Sequence, residues 1–248
     1  MSRIPKNLEE ILPAVVEDYK RIYADDLVSV ILYGSAAGGN YRPGRSDINL
    51  MVVLTEHGID ALERAFEITA KWKKARVATP LFVTENYIRT SLDVFPVEYL
   101  NFQKNHRVVY GKDILAGLTF SSDFMRLQCE REIKAKLVVL RQAFVETGGK
   151  PAGLTDLMSD SLRAFIAIFN GLLYMKDGRL PDRKQDILAE ACKVFGLDKA
   201  VFIRVLALQE KTGKLSKEEL RALFSDYLKQ IRNLWHVVDS LADPAEGH

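Results

Sequence analysis

Apolar and polar positions follow two different periods along the chain, and the change from one to the other divides it. From Leu8 to Tyr23, apolar side chains recur at Leu8, Ile11, Leu12, Val15, Val16 and Tyr19, the spacing of an amphipathic helix with Pro13 near its start. Leu27-Val28-Ser29-Val30-Ile31-Leu32-Tyr33 is too short and too β-branched for a helix and predicts a buried strand. Ile48–Leu54 predicts a second strand, Ala61–Trp72 a helix, Thr79–Val83 another strand and Glu85–Leu92 a short helix. Val94–Phe102 reads as a further strand, and Arg107–Tyr110 closes this half at the turn Gly111-Lys112-Asp113. Strands interleaved with helices to about residue 115 predict an α+β (mixed α/β) domain over residues 1–115.

Beyond that point the strand signals stop. Ser122 or Asp123 can cap a helix that carries Ile133, Leu137, Leu140 and Phe144 on one face and ends at Gly148-Gly149-Lys150-Pro151. Leu157–Met175 has Leu162, Phe165, Ile166, Ile168, Phe169, Leu172 and Leu173 with little polar face left, which predicts the central member of a bundle. Shorter helices are expected at Ile187–Val194 and Ala200–Leu208. Ser216 with Glu219 forms a capping-box pattern that opens a last helix through Trp235 and Val238. Residues 116–242 are thus expected to form an all-α helical bundle, with 243–248 as a frayed tail.

Charge and cysteine content narrow the classes of function. The 248 residues carry 35 basic and 33 acidic side chains, a formal net charge of +2, which lacks the excess expected if bulk nucleic acid were the main partner. Cys129 and Cys192 both fall in helix-like sequence at no metal-ligand spacing, and are expected as reduced core thiols. The N-terminus lacks an apolar signal core and no apolar run is long enough to cross a bilayer. A cytoplasmic protein without membrane contacts is expected.

One stretch carries chemistry. Leu32-Tyr33-Gly34-Ser35 ends the first strand, a loop with Arg42 and Arg45 follows, and Ser46-Asp47-Ile48-Asn49-Leu50 opens the second strand. Side chains two apart on a strand share a face, so Asp47 and Asn49 point together while Ile48 and Leu50 enter the core. Two oxygen donors would converge there on a hard cation such as Mg²⁺. Gly34 lets the backbone leave the strand, and amides at a following helix start, with the Ser35 hydroxyl, could hold a phosphate within reach of Arg42 and Arg45.

That order resembles the Gly-Ser…Asp-x-Asp signature of the DNA polymerase beta-like nucleotidyltransferases, with Asn49 in place of the second Asp. The resemblance is strongest over residues 27–54 and extends through about 115. It implies a nucleotidyltransferase-like domain followed by a helical domain, as in the enzymes that modify aminoglycosides. It further implies Gly34, Ser35, Arg42, Arg45 and Ser46 as nucleotide- and phosphate-binding residues. Paired acids and a third carboxylate from a later strand would hold two metal ions, Mg²⁺ or Mn²⁺. Asp47, Asn49 and Glu98 are the corresponding catalytic and metal-binding positions, since an acid within an apolar strand is costly unless paired or metal-bound; Asp93 is a rival to Glu98. The implied reaction is attack of a small-molecule or protein hydroxyl on the α-phosphate of a nucleoside triphosphate. Asn49 brings no charge, so a catalytically degenerate nucleotide-binding, regulatory or interaction module is the alternative.

The remaining motifs have plainer readings. Lys134, Lys136 and Arg141 could face phosphates from the first long helix, though such residues are more often simply a solvated face. Arg232 and His236 are spaced like the residues of RNA-cleaving helical domains, but Leu234 and Trp235 between them favour a packed helix. His57 and His106 have no neighbours at metal-ligand spacing, and Lys104 and Arg107 are weak phosphate-contact candidates.

Overall fold

The computed structural model describes residues 5–39, 41–178, 180–210, 212 and 215–241, and the expected tail at 243–248 lies outside them. Two compact units emerge: one comprises residues up to Leu92 together with Tyr99–Thr119, the other Asp93–Glu98 together with residues from Phe120 onward.

In chain order the first unit contains α1 (Leu12–Tyr23), β1 (Leu27–Tyr33), β2 (Asn49–Leu54), α2 (Glu56–Ile59), α3 (Phe66–Lys73), β3 (Leu81–Thr84), α4 (Glu85–Thr90), most of α5 (Pro96–Lys104) and β4 (His106–Gly111). The strand order is β3-β2-β1-β4, with β1 antiparallel to both β2 and β4 and β2 parallel to β3. β1 is central because it has no polar face to spare: Val30, Ile31 and Leu32 are fully buried. Only Ser29 is polar among its buried residues, and its hydroxyl donates to the carbonyls of Tyr110 and Lys112. A parallel neighbour such as β3 needs a crossover, which the segment from α2 through α3 supplies. On one face, Val15, Tyr19 and Tyr23 of α1 pack with Val30 and Leu32 of β1 and Leu50 and Val52 of β2. Each such aliphatic side chain contributes about 1.5–3 kcal/mol by leaving water. Pro13 falls in the first turn of α1, where its missing N–H removes no helical hydrogen bond.

The strand expected at Val94–Phe102 is a helix. Pro96 opens α5 at the position where proline suits a helix, not the sheet edge where it would suit a strand. A buried amide explains the choice: the Gln128 side-chain carbonyl accepts the Val97 N–H at 2.8 Å, satisfying a first-turn donor that has no partner within the helix.

The second unit is helical, with α6 (Ser122–Glu146), α7 (Pro151–Asp177), α8 (Lys184–Phe195), α9 (Lys199–Gln209) and α10 (Lys217–Ser240). α7 packs against each of the other four, as its nearly continuous apolar surface requires. The capping box at Ser216 and Glu219 is formed in both directions. Cys129 and Cys192 are free and buried. No helix among the described residues is long and apolar enough to cross a membrane.

Candidate functional site

The site grows from the register of β1 on β2, which sets Tyr33 opposite Asn49. Gly34, the next residue, turns the chain out of the sheet with φ +76°, a conformation open to glycine and strained for other residues. The Gly34 N–H donates to the carbonyl of Asn105, just ahead of β4, and the Gly38 N–H returns to the Gly34 carbonyl at 3.1 Å. The Asn49 amide lies against this turn, 3.6 Å from where a side chain on Gly34 would begin. Ser35 is exposed and Ala36 buried, which anchors the turn and leaves the hydroxyl outside. The helix expected after Gly34-Ser35 is absent; residues 34–39 are consecutive turns, so the amides available to an anion are those of a turn.

The second half of the loop is a tight turn of its own. Arg45 N–H donates to the Arg42 carbonyl at 3.0 Å around Pro43 and Gly44, and Gly44 has φ +75°. Proline followed by a left-handed glycine is the signature of a type II turn, which brings the backbones of Arg42 and Arg45 within about 7 Å. Both arginines are exposed. The Ser46 hydroxyl accepts the Arg42 N–H at 3.0 Å, so this serine fastens the turn.

Asp47 follows, and its partner is a residue the sequence reading did not select. Arg76 Nη2 donates to Asp47 Oδ1 at 2.9 Å and to the Arg45 carbonyl at 3.2 Å. Arg76 sits just after α3 with φ +64°, and its carbonyl accepts the Ile48 N–H at 2.9 Å beside the parallel bridge of Ile48 to Val77. In sequence it ends the basic run Lys73-Lys74-Ala75-Arg76, which looks like the solvated end of a helix. Only the bridge reveals it, because that pairing is between residues far apart in the chain.

Glu98 has a different role from the one its expected strand implied. It stands in the first turn of α5 and its carboxylate accepts a hydrogen bond from Gln128 Nε2. The premise for a third metal-binding acid, a carboxylate inside an apolar strand, is therefore gone. Neither later strand supplies one, since β3 is Leu-Phe-Val-Thr and β4 is His-Arg-Val-Val-Tyr-Gly. Among the described residues no three His, Cys, Asp or Glu side chains group as a metal centre. The donor set does not fit a pair of metal ions. One carboxylate and one amide oxygen, with triphosphate oxygens, suit a single hard cation at most.

The other candidates are accounted for locally. Lys134 binds Glu130 and Asp239, which raise its pKa, and Lys136 binds Glu132. Arg232 and His236 are exposed on α10, with the imidazole stacked on Trp235 at 4.3 Å. His57 pairs with Asp26, His106 bridges the Gln103 carbonyl and Asp113, and Arg107 pairs with Glu9.

Residues 8–108 match the family described as Nucleotidyltransferase domain. Among solved structures, the spectinomycin adenyltransferase AAD(9) from Enterococcus faecialis, determined with ATP and spectinomycin, is similar in fold. Its TM-score is 0.53 at 11% identity, covering 94% of this chain and 100% of that one. No protein of curated function matches the sequence significantly.

Proposed function

We propose that the chain, whose residues 8–108 match a nucleotidyltransferase-domain family, is a nucleotidyltransferase of the polymerase beta-like superfamily and transfers a nucleoside monophosphate from a triphosphate to a small-molecule hydroxyl. The observation that carries this reading is the register of Tyr33 on Asn49, which sets the Gly34 turn, Asn49 and Asp47 at one end of the β1–β2 pair. The turn amides and the Ser35 hydroxyl would contact phosphate oxygens, and Arg42 and Arg45 would add charge-assisted bonds. Asp47 and Asn49 would hold one Mg²⁺ or Mn²⁺, which supplies charge neutralisation at the α-phosphate when bound. An acceptor of small-molecule type is supported by the neighbour of similar fold, which holds ATP and spectinomycin.

Incubation with labelled ATP, GTP, CTP and UTP, Mg²⁺ or Mn²⁺ and a panel of aminoglycoside-like and other polyhydroxylated acceptors tests the proposal. Label on an acceptor with stoichiometric pyrophosphate supports it. Absence of both, from wild type and from Asn49→Asp, would sink it. A second reading, nucleotide binding without turnover, is favoured by one specific observation: Asp47 is the lone carboxylate of the Gly34–Leu50 run and is already paired with Arg76. Nucleotide binding by calorimetry with no pyrophosphate release would select it.

A further inference from the structure

We propose that Arg76 is a built-in cation of the triphosphate site, and that it allows the chain to hold a triphosphate without a divalent metal. This rests on the nucleotide-binding part of the reading above and names the group that stands in where the paired-acid metal centre does not fit.

The backbone comes first. Arg76 and Ala24 are the non-glycine residues with positive φ among those described. For an L-residue the left-handed region is strained, and glycine would avoid the strain. Arginine is nevertheless fixed there from both sides. Its N–H donates to the Lys73 carbonyl at 3.1 Å, and its carbonyl accepts from Ile48, whose own carbonyl accepts the Ala78 N–H at 3.0 Å. Ile48 lies between Asp47 and Asn49, so Arg76 is fastened to the centre of the candidate site.

The side chain has donors to spare. A guanidinium carries five N–H groups, and the bonds that Arg76 makes both leave from Nη2. Nε is shielded from solvent and has no hydrogen-bond partner among the described residues. Nε is too enclosed for a ligand, so the donors left for an anionic oxygen are those of the two Nη atoms, on a side chain 36% exposed. The pairing with Asp47 is open enough to be shared, since its side chains are 36% and 60% exposed and solvent-exposed pairs contribute little. The loop and its anchor thus carry three arginines, Arg42, Arg45 and Arg76, against one carboxylate, Asp47. That excess suits a polyphosphate and is poor for a second cation.

Calorimetry with ATP and with inorganic tripolyphosphate, each in EDTA and in Mg²⁺, tests the proposal on the full chain. Wild type is expected to bind both ligands in EDTA, with Kd within about threefold of the value in Mg²⁺. Arg76→Gln, which keeps the stem and removes the charge, should weaken binding in EDTA at least about tenfold, while Arg76→Lys recovers most of it. Melting curves for both variants establish that they are folded. Binding by wild type only in Mg²⁺, or unchanged binding by folded Arg76→Gln, would overturn the inference and leave the nucleotidyltransferase reading standing. Arg76-dependent binding in EDTA without transfer to any acceptor would uphold it while the transfer reading fails. No binding of either ligand in either buffer would end both.

Discussion

Two carboxylates that look interchangeable in the sequence sit in regions of opposite character. Asp47 lies in the β1–β2 loop, exposed, opposite an arginine with unused donors. Glu98 lies where α5 meets α6, and its carboxylate is bound to Gln128, whose other end caps the first turn of α5. In the loop, Ser35, Arg42 and Arg45 are exposed and open to a ligand. At the α5–α6 corner each polar group is used by another, and the acid is part of what holds the corner together. Commitment to internal bonds, more than residue type, separates a candidate ligand from a structural acid.

The strongest way to break that comparison is to change the loop acid and its same-face neighbour. Asp47→Asn should lower transfer at least about 100-fold, since metal-assisted charge stabilisation is worth several kcal/mol and each tenfold in rate is about 1.4 kcal/mol. Triphosphate binding in EDTA should survive, because the substitution removes a negative charge. Asn49→Asp should act in the opposite sense and raise Mg²⁺-supported transfer about tenfold or more, read as pyrophosphate release. If Asp47→Asn leaves the rate unchanged, the loop is not the chemical centre and the contrast with Glu98 loses its meaning.

A second comparison uses one glycine from each region. At the corner, a side chain on Gly171 would begin 2.9 Å from Cys129 Sγ and 3.0 Å from Met125 Sδ, so Gly171→Ala is expected to destabilise by about 1–3 kcal/mol through overpacking. In the loop, Gly34→Ala meets only an ordinary 3.6 Å contact with Asn49, and its cost of about 1–2 kcal/mol is conformational. Urea denaturation reads both, and calorimetry separates them: Gly34→Ala should also weaken triphosphate binding, while Gly171→Ala should leave it alone. Loss of binding in Gly171→Ala at temperatures where it is folded would contradict the division.

The sequence made some of this legible and hid the rest for identifiable reasons. β1 was readable because seven consecutive residues from Leu27 to Tyr33 are apolar or small and heavily β-branched, and β2 because Asp47 and Asn49 bracket a buried Ile48. α10 was readable because its capping box is a local pattern. α5 was misread because Val94–Phe102 is a short apolar run in which period alone does not separate strand from helix. Pro96 with Glu98 in the first turn was the available helix-start signal. Gln128, 30 residues away from Glu98, could not be found by any local pattern, and neither could Arg76, whose partnership with Asp47 depends on the parallel bridge of Ile48 to Val77.

The smallest expected effect is also the sharpest check on the corner. Glu98→Gln preserves size and an acceptor oxygen for Gln128, so stability should change by less than about 1 kcal/mol and triphosphate affinity by less than about twofold. Cys129 reports on the same place from inside. Burial first, then the charges of Glu98 and Glu132, push its thiol far above the ordinary cysteine range. A group whose folded pKa is raised keeps its proton while the unfolded thiol ionises, so alkylation at pH 8 should proceed only through unfolding. Because burial is the larger cause, Glu98→Gln should leave that slow rate unchanged, as measured by mass shift with iodoacetamide. Faster alkylation in a variant of unaltered melting temperature would mean that Gln128 has released the first turn of α5, and that the Glu98 charge itself holds the corner closed.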